Sequence, residues 1–169
     1  MRILLVLVAL ILAASASTFA QRNLTEIDFE RNRTRYTREH FSEGEDASSG
    51  FDYIYFRKDK AIVMIRSIWS ATHTRELRIE DMYFRNDGLA VFRRATAQQK
   101  SMGVLKTGRN GGLTAQEEMH FENGKLVNWT QNGAPVRKVG TFWPDAEKST
   151  LETAQQWVEY YADLKKSSK

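Results

Sequence analysis

The chain has 169 residues, no cysteine, 25 lysines and arginines against 21 acidic residues, and a formal charge of +4. The missing cysteine excludes a disulfide framework, a cysteine nucleophile and a lipidated N-terminal cysteine, so stability has to come from an apolar core. Basic and acidic residues are interleaved, which gives no cationic block of the kind nucleic-acid binding needs.

Met1-Arg2 leads into an unbroken apolar run from Ile3 to Ala14, followed by small residues. The run falls short of the ~20 residues that span a bilayer. Cleavage after Ala16 or after Ala20 fits a secretory signal. Residues 1–20 are read as that signal and 21–169 as one β-rich exported domain, periplasmic or secreted, with no transmembrane segment left after cleavage. Loss of Arg2 takes the charge from +4 to +3. Absence of cysteine from an exported chain points to a bacterial envelope. The sequons at Asn23, Asn32 and Asn128 would matter only in a eukaryotic pathway.

From Gln21 to Phe41 the chain is polar and arginine-rich, with Leu24 and Ile27 as the seed of a short helix and Thr34 to Phe41 as an edge strand. Arg31, Arg33 and Arg35 alternate, so an extended chain would align them in one cationic row. Such a row suits an anionic surface or acidic partner, or serves to discourage edge-to-edge aggregation. Ser42 to Gly50 is a loop by composition. Phe51 to Arg57 and Ala61 to Trp69 then form a first hairpin. Its second strand is apolar on both faces around Ile62 to Ile65, which predicts a central strand covered on each side.

Glu76 to Arg85 and Leu89 to Ala97 form a second hairpin about Asn86-Asp87-Gly88, with Gly88 either in a two-residue turn or as the αL residue of a three-residue one. Thr96 to Gly112, with a possible short strand at Met102 to Leu105, is the longest polar interval and the candidate functional loop. The third hairpin pivots on Asn123-Gly124, which supplies the two φ > 0 residues of a type I′ turn. An unbroken ladder from that turn opposes Glu122 to Lys125, Phe121 to Leu126, His120 to Val127, Met119 to Asn128 and Glu118 to Trp129. It places Trp129 on the same face as Glu118, His120 and Glu122.

Gly133-Ala134 reads as a turn and Pro135 to Phe142 as a last strand. Ser149 and Glu152 fit a capping box. Leu151, Ala154, Trp157, Val158, Tyr161 and Leu164 recur at helical spacing, predicting an amphipathic helix over about 150–166. The expected fold is α+β, mainly β: an antiparallel meander of about six to eight strands packed against this C-terminal helix.

The search for chemistry is mostly negative. There is no Gly-x-Ser-x-Gly elbow, phosphate-cradling glycine loop, His-Glu-x-x-His or zinc-ligand spacing. Glu118, His120 and Glu122 share a strand face, but residues two apart on a strand stand ~7 Å from each other and do not converge on an ion. No catalytic, metal or cofactor site is therefore assigned. The contact candidates are Trp129, Glu118, His120, Arg31, Arg33 and Arg35, for an envelope protein, a glycan or an anionic surface.

The run Glu-x-Met-x-Phe-x-Asn-Gly-Lys-Leu at 117–126, echoed at 81–89, resembles small uncharacterised exported bacterial proteins with repeated Tyr-Phe-x-x-Gly-x-Leu hairpins. The cadence is also distantly similar to choline-binding modules of cell walls, without their Gly-Trp opening or regular period. The first resemblance implies a β-meander and carries over no functional residue. The functional expectation is a non-catalytic exported binding or envelope-accessory protein. An envelope-polymer hydrolase or lyase using Glu118, His120 and the 96–112 loop is one alternative. A small-molecule or lipid carrier with a cavity between helix and sheet is the other.

Overall fold

The structure, a computed structural model, describes residues 28–43, 49–71, 76–85, 88–98 and 113–167. The signal, the Leu24–Ile27 helix seed and the strand expected at Met102 to Leu105 lie outside these residues. Eight strands cross one antiparallel sheet in chain order: β1 (Thr37–Glu43), β2 (Ser49–Lys58), β3 (Ala61–Ala71), β4 (Glu76–Arg85), β5 (Gly88–Gln98), β6 (Leu113–Glu122), β7 (Lys125–Gln131) and β8 (Ala134–Pro135). One long helix, α1 (Phe142–Ser167), follows. The fold is thus the mainly β meander, with a C-terminal helix, that the hairpin signals predict.

The three hairpins β2–β3, β4–β5 and β6–β7 share a device that alternation alone does not reveal. Each turn has two residues between its closing pair, Lys58↔Ala61, Arg85↔Gly88 and Glu122↔Lys125. Each second strand then carries one extra residue at the same place, Val63, Ala90 and Val127. Without the extra residue, positions three apart on a strand face opposite ways; with it they face the same way. Ile62 and Ile65, Leu89 and Phe92, and Leu126 and Trp129 all join the core under α1 in this manner. The unbroken register expected for the third hairpin is therefore corrected beyond Leu126. His120 opposes Asn128 and Met119 opposes Trp129. Gly88 begins β5 opposite Arg85 with φ of 115°, so it is not the second residue of a two-residue turn and keeps the positive φ of the other reading.

Two further boundaries differ from expectation. Asn132 and Gly133 have φ of 50° and 80°, so the tight turn is Asn-Gly again and not Gly133-Ala134. The strand that follows has only two residues, because Pro135 has no N–H to donate and sits at the sheet's edge. Helix α1 starts at Phe142, eight residues before the expected start near 150. Pro144 falls in its first turn, where an N–H would lack an intrahelical acceptor in any case. Ser149 is inside the helix, its hydroxyl donating to the Ala146 carbonyl, so the capping-box reading is wrong.

Helix α1 is fixed at both ends. Near its start, the indole N–H of Trp143 donates to the Leu126 carbonyl at 3.2 Å, and Leu126 N–H donates to Glu147 at 2.8 Å. These two side chains thereby satisfy backbone groups on β7. Near its end, the Tyr161 hydroxyl donates to Glu39 on β1 at 2.8 Å, and Lys165 and Arg57 also pair with that carboxylate. Between them, all six expected core positions of the helix pack against the sheet.

The opposite face of the sheet is partly covered by the segment before β1. Residues 28–32 are helical and Arg33–Arg35 form a 3-10 turn. Phe29, 4% exposed, inserts among Tyr36, Phe56 and Tyr83 with ring centroids 5.1–5.5 Å apart. Met64, Val91 and Ala90 complete this second core. β3 is accordingly covered on both faces, Ile65 under α1 and Met64 under Phe29.

Candidate functional site

On the face that Phe29 partly covers, register places Arg66, Asp81, Arg93 and Glu118 side by side on four consecutive strands. Alternating signs across a sheet attract each neighbour in turn. Arg66 grips Asp81 through two bonds of 2.6 and 2.7 Å, and Arg93 donates to Glu118 at 2.7 Å. Glu118 also accepts from Nε2 of His120, which is buried. Nε2 faces a carboxylate and so carries the proton; Nδ1 is buried with no hydrogen-bond partner.

The sequence-derived site residues do not form one site. Glu118 and His120 do meet, contrary to the separation expected of strand neighbours two apart, because the carboxylate leans toward the imidazole. They are engaged with each other and with Arg93. No group of three His, Asp or Glu residues capable of holding a metal occurs among the described residues. Trp129 lies on the other face, 3% exposed, its N–H donating to Glu117 at 2.9 Å. The extra residue Val127 puts it there. Arg31, Arg33 and Arg35 form no strand row, since the chain is helical at 31 and a 3-10 turn at 33–35. Arg33 instead lies over the Phe56 ring at 5.5 Å and pairs with Glu30 at 3.8 Å.

His40, Ser42 and Asp52 meet on the exposed β1–β2 edge. Nε2 of His40 lies 2.9 Å from Asp52 and 3.4 Å from Ser42, while the Ser42 hydroxyl donates to Asp52 at 2.6 Å. A hydrolytic triad uses opposite ring nitrogens for serine and aspartate. Here one nitrogen serves both and the serine proton is committed to the carboxylate, so the trio does not activate a nucleophile.

A cavity with room for a ligand lies elsewhere among the described residues. A groove of about 810 Å³ runs between one flank of α1 and the hairpin ends of the sheet. Its apolar walls are Ile62, Phe84 and Leu89 on one side and Leu151, Ala154 and Val158 on the other, and its polar side chains are Lys60, Arg85, Glu152, Gln155 and Gln156. The repeated hairpin explains its position. Ile62, Leu89 and Leu126 are equivalent residues of the three hairpins, and Trp143 and Glu147 bond to the backbone of the third only. The first two are left to line the groove. A cavity between helix and sheet is among the expectations, but its residues are not, because its walls come from segments about sixty to ninety residues apart. The recurring apolar pair three apart in each second strand was the available signal.

Protonation of the Glu118 cluster has a readable effect on stability. The Glu118 carboxyl is held down at about 2 chiefly by the hydrogen bond from His120; burial opposes this and Arg93 adds to it. A depressed carboxyl stabilises the fold above its unfolded value, near 4.5, and that stabilisation is withdrawn as pH falls toward the folded value. Unfolding free energy from urea titrations is expected to fall by roughly 2 kcal/mol between about pH 5 and pH 2 through this group. Glu118→Gln should lower stability at neutral pH by a similar amount and flatten that dependence.

The chain matches no protein-family model, no curated protein and no solved structure.

Proposed function

We propose that this chain is a non-catalytic exported binding protein whose ligand site is the groove between α1 and the hairpin ends. The observation that carries the reading is the groove itself: about 810 Å³, with apolar walls and a charged rim. Ligand sites of small molecules have that size and combine apolar walls with polar groups that orient the ligand. Export rests on the apolar run Ile3 to Ala14 and the small residues after it. The carrier alternative is favoured in a modified form, because the space lies along the flank of the helix while the interior directly beneath it is filled by Tyr55, Ile65, Met82 and Phe92. A hydrolase or lyase built on Glu118 and His120 is disfavoured, since both groups are engaged with each other and neither lines the groove.

The reading predicts where a neutral apolar probe binds. Cyclohexanol added to isotopically labelled protein is expected to shift backbone amide resonances of 60–62, 84–89 and 151–158 together. Shifts confined to other segments of the folded protein would overturn the groove as the site.

A further inference from the structure

We propose that the groove accepts a single-chain anionic amphiphile, with the hydrocarbon chain along the apolar walls and the head group at Lys60. This rests on the groove being the ligand site and adds the class of ligand.

The helix contributes Leu151, Ala154 and Val158, spaced three and four apart, so they form one straight strip along its flank. Seven residues of rise make that strip about 10 Å long, enough for a single medium-length chain laid lengthwise. Ala154 is the small residue at its centre and leaves the groove its depth. The sheet supplies the facing wall through Ile62, Leu89 and Phe84, all without charge. The six apolar side chains of the walls offer no hydrogen-bond partner and a hydrocarbon chain needs none, while the amides of Gln155 and Gln156 join Lys60, Arg85 and Glu152 as the polar groups of the lining.

Charge at the rim selects the head group. Lys60 and Arg85 are cationic and Glu152 is the one carboxylate of the lining, with Lys148 at 3.8 Å from it. Lys60 is exposed and, among the described residues, makes no ion pair. A carboxylate, sulfate or phosphate monoester head would meet this cationic rim, and a quaternary ammonium head would be repelled by it.

Titration calorimetry of the purified protein with dodecanoate, dodecanol and dodecyltrimethylammonium, each below its micelle concentration, tests the assignment. Dodecanoate is expected to bind one-to-one and at least about tenfold more tightly than the ammonium compound. Lys60→Glu sits in an exposed turn and should keep the thermal midpoint while erasing or reversing that preference; dodecanol binding should stay unchanged. Equal binding of all three probes would overturn the head-group assignment and leave the groove reading intact. Groove shifts with cyclohexanol but no binding of any dodecyl compound would overturn the amphiphile and again spare the groove. If cyclohexanol maps elsewhere, both fail.

Discussion

Inserting an alanine between Val127 and Asn128 is expected to abolish cooperative folding, seen as loss of the near-ultraviolet circular dichroism signal and of a thermal transition. Val127 is the extra residue that lets Leu126 and Trp129 face α1 together. A second extra residue undoes this: with the one-residue bulge kept, Asn128 falls opposite Met119 and every β7 residue from Asn128 onward changes face. Trp129 would leave its stack on Phe142, 4.9 Å away, and its bond to Glu117, and Asn128 would enter the core in its place. Losing a buried tryptophan costs about 3–5 kcal/mol, and burying an unpartnered amide adds to it. The total is a large part of the ~5–15 kcal/mol that holds a domain folded. Deleting Val127 instead removes the bulge but leaves Asn128 opposite His120 and Trp129 opposite Met119, so it should cost far less, and comparison of the two isolates the effect of register.

Phe29→Ala is expected to destabilise the protein by about 3–4 kcal/mol in urea unfolding. Phe29 fills the space between Tyr36, Phe56 and Tyr83, with two edge-to-face contacts and one stack. Removing the ring leaves a cavity and frees the 28–35 turn from the sheet. Arg33 would then lose its seat over Phe56, and Tyr83 and Met64, now 2% and 1% exposed, would gain solvent. Increased protease cleavage within 28–36, with the hairpins still protected, would place the loss at this contact. A loss below about 1 kcal/mol would mean that the turn adds little to the second core.

The architecture was largely legible in the sequence, and the reasons are local. Asn123-Gly124 fixes a turn, alternation fixes strands, and the 151–164 spacing fixes the helix face. The errors share a different cause: each concerns a signal with two physical readings. A one-residue insertion leaves no mark where Leu126 and Val127 are both apolar. A helix start near 150 leaves Pro144 outside it, yet a helix accepts proline in its first turn. Alternating Arg31, Arg33 and Arg35 share a face only if the chain is extended, and here it coils. The candidate site was less legible than the fold. Glu118 and His120 could be placed on one strand face, but not their contact with Arg93. The groove depends on how α1 crosses the hairpin ends, which no single segment encodes.

Strand order equal to chain order also bears on how the molecule assembles. Every strand pairs with the one made just before it, so each ladder closes a short loop and carries a small entropic penalty. The contacts of the helix with β1 and β2 are of another kind: Tyr161 and Glu39 are 122 residues apart and Tyr55 and Trp157 are 102 apart. A growing chain can zip its ribbons one by one, while the aromatic side of β1 and β2 stays bare until the last helical turns emerge. Completion of the fold therefore waits until residues 157–165 have been made, with the Glu39 carboxylate as the catch into which Tyr161 and Lys165 finally drop.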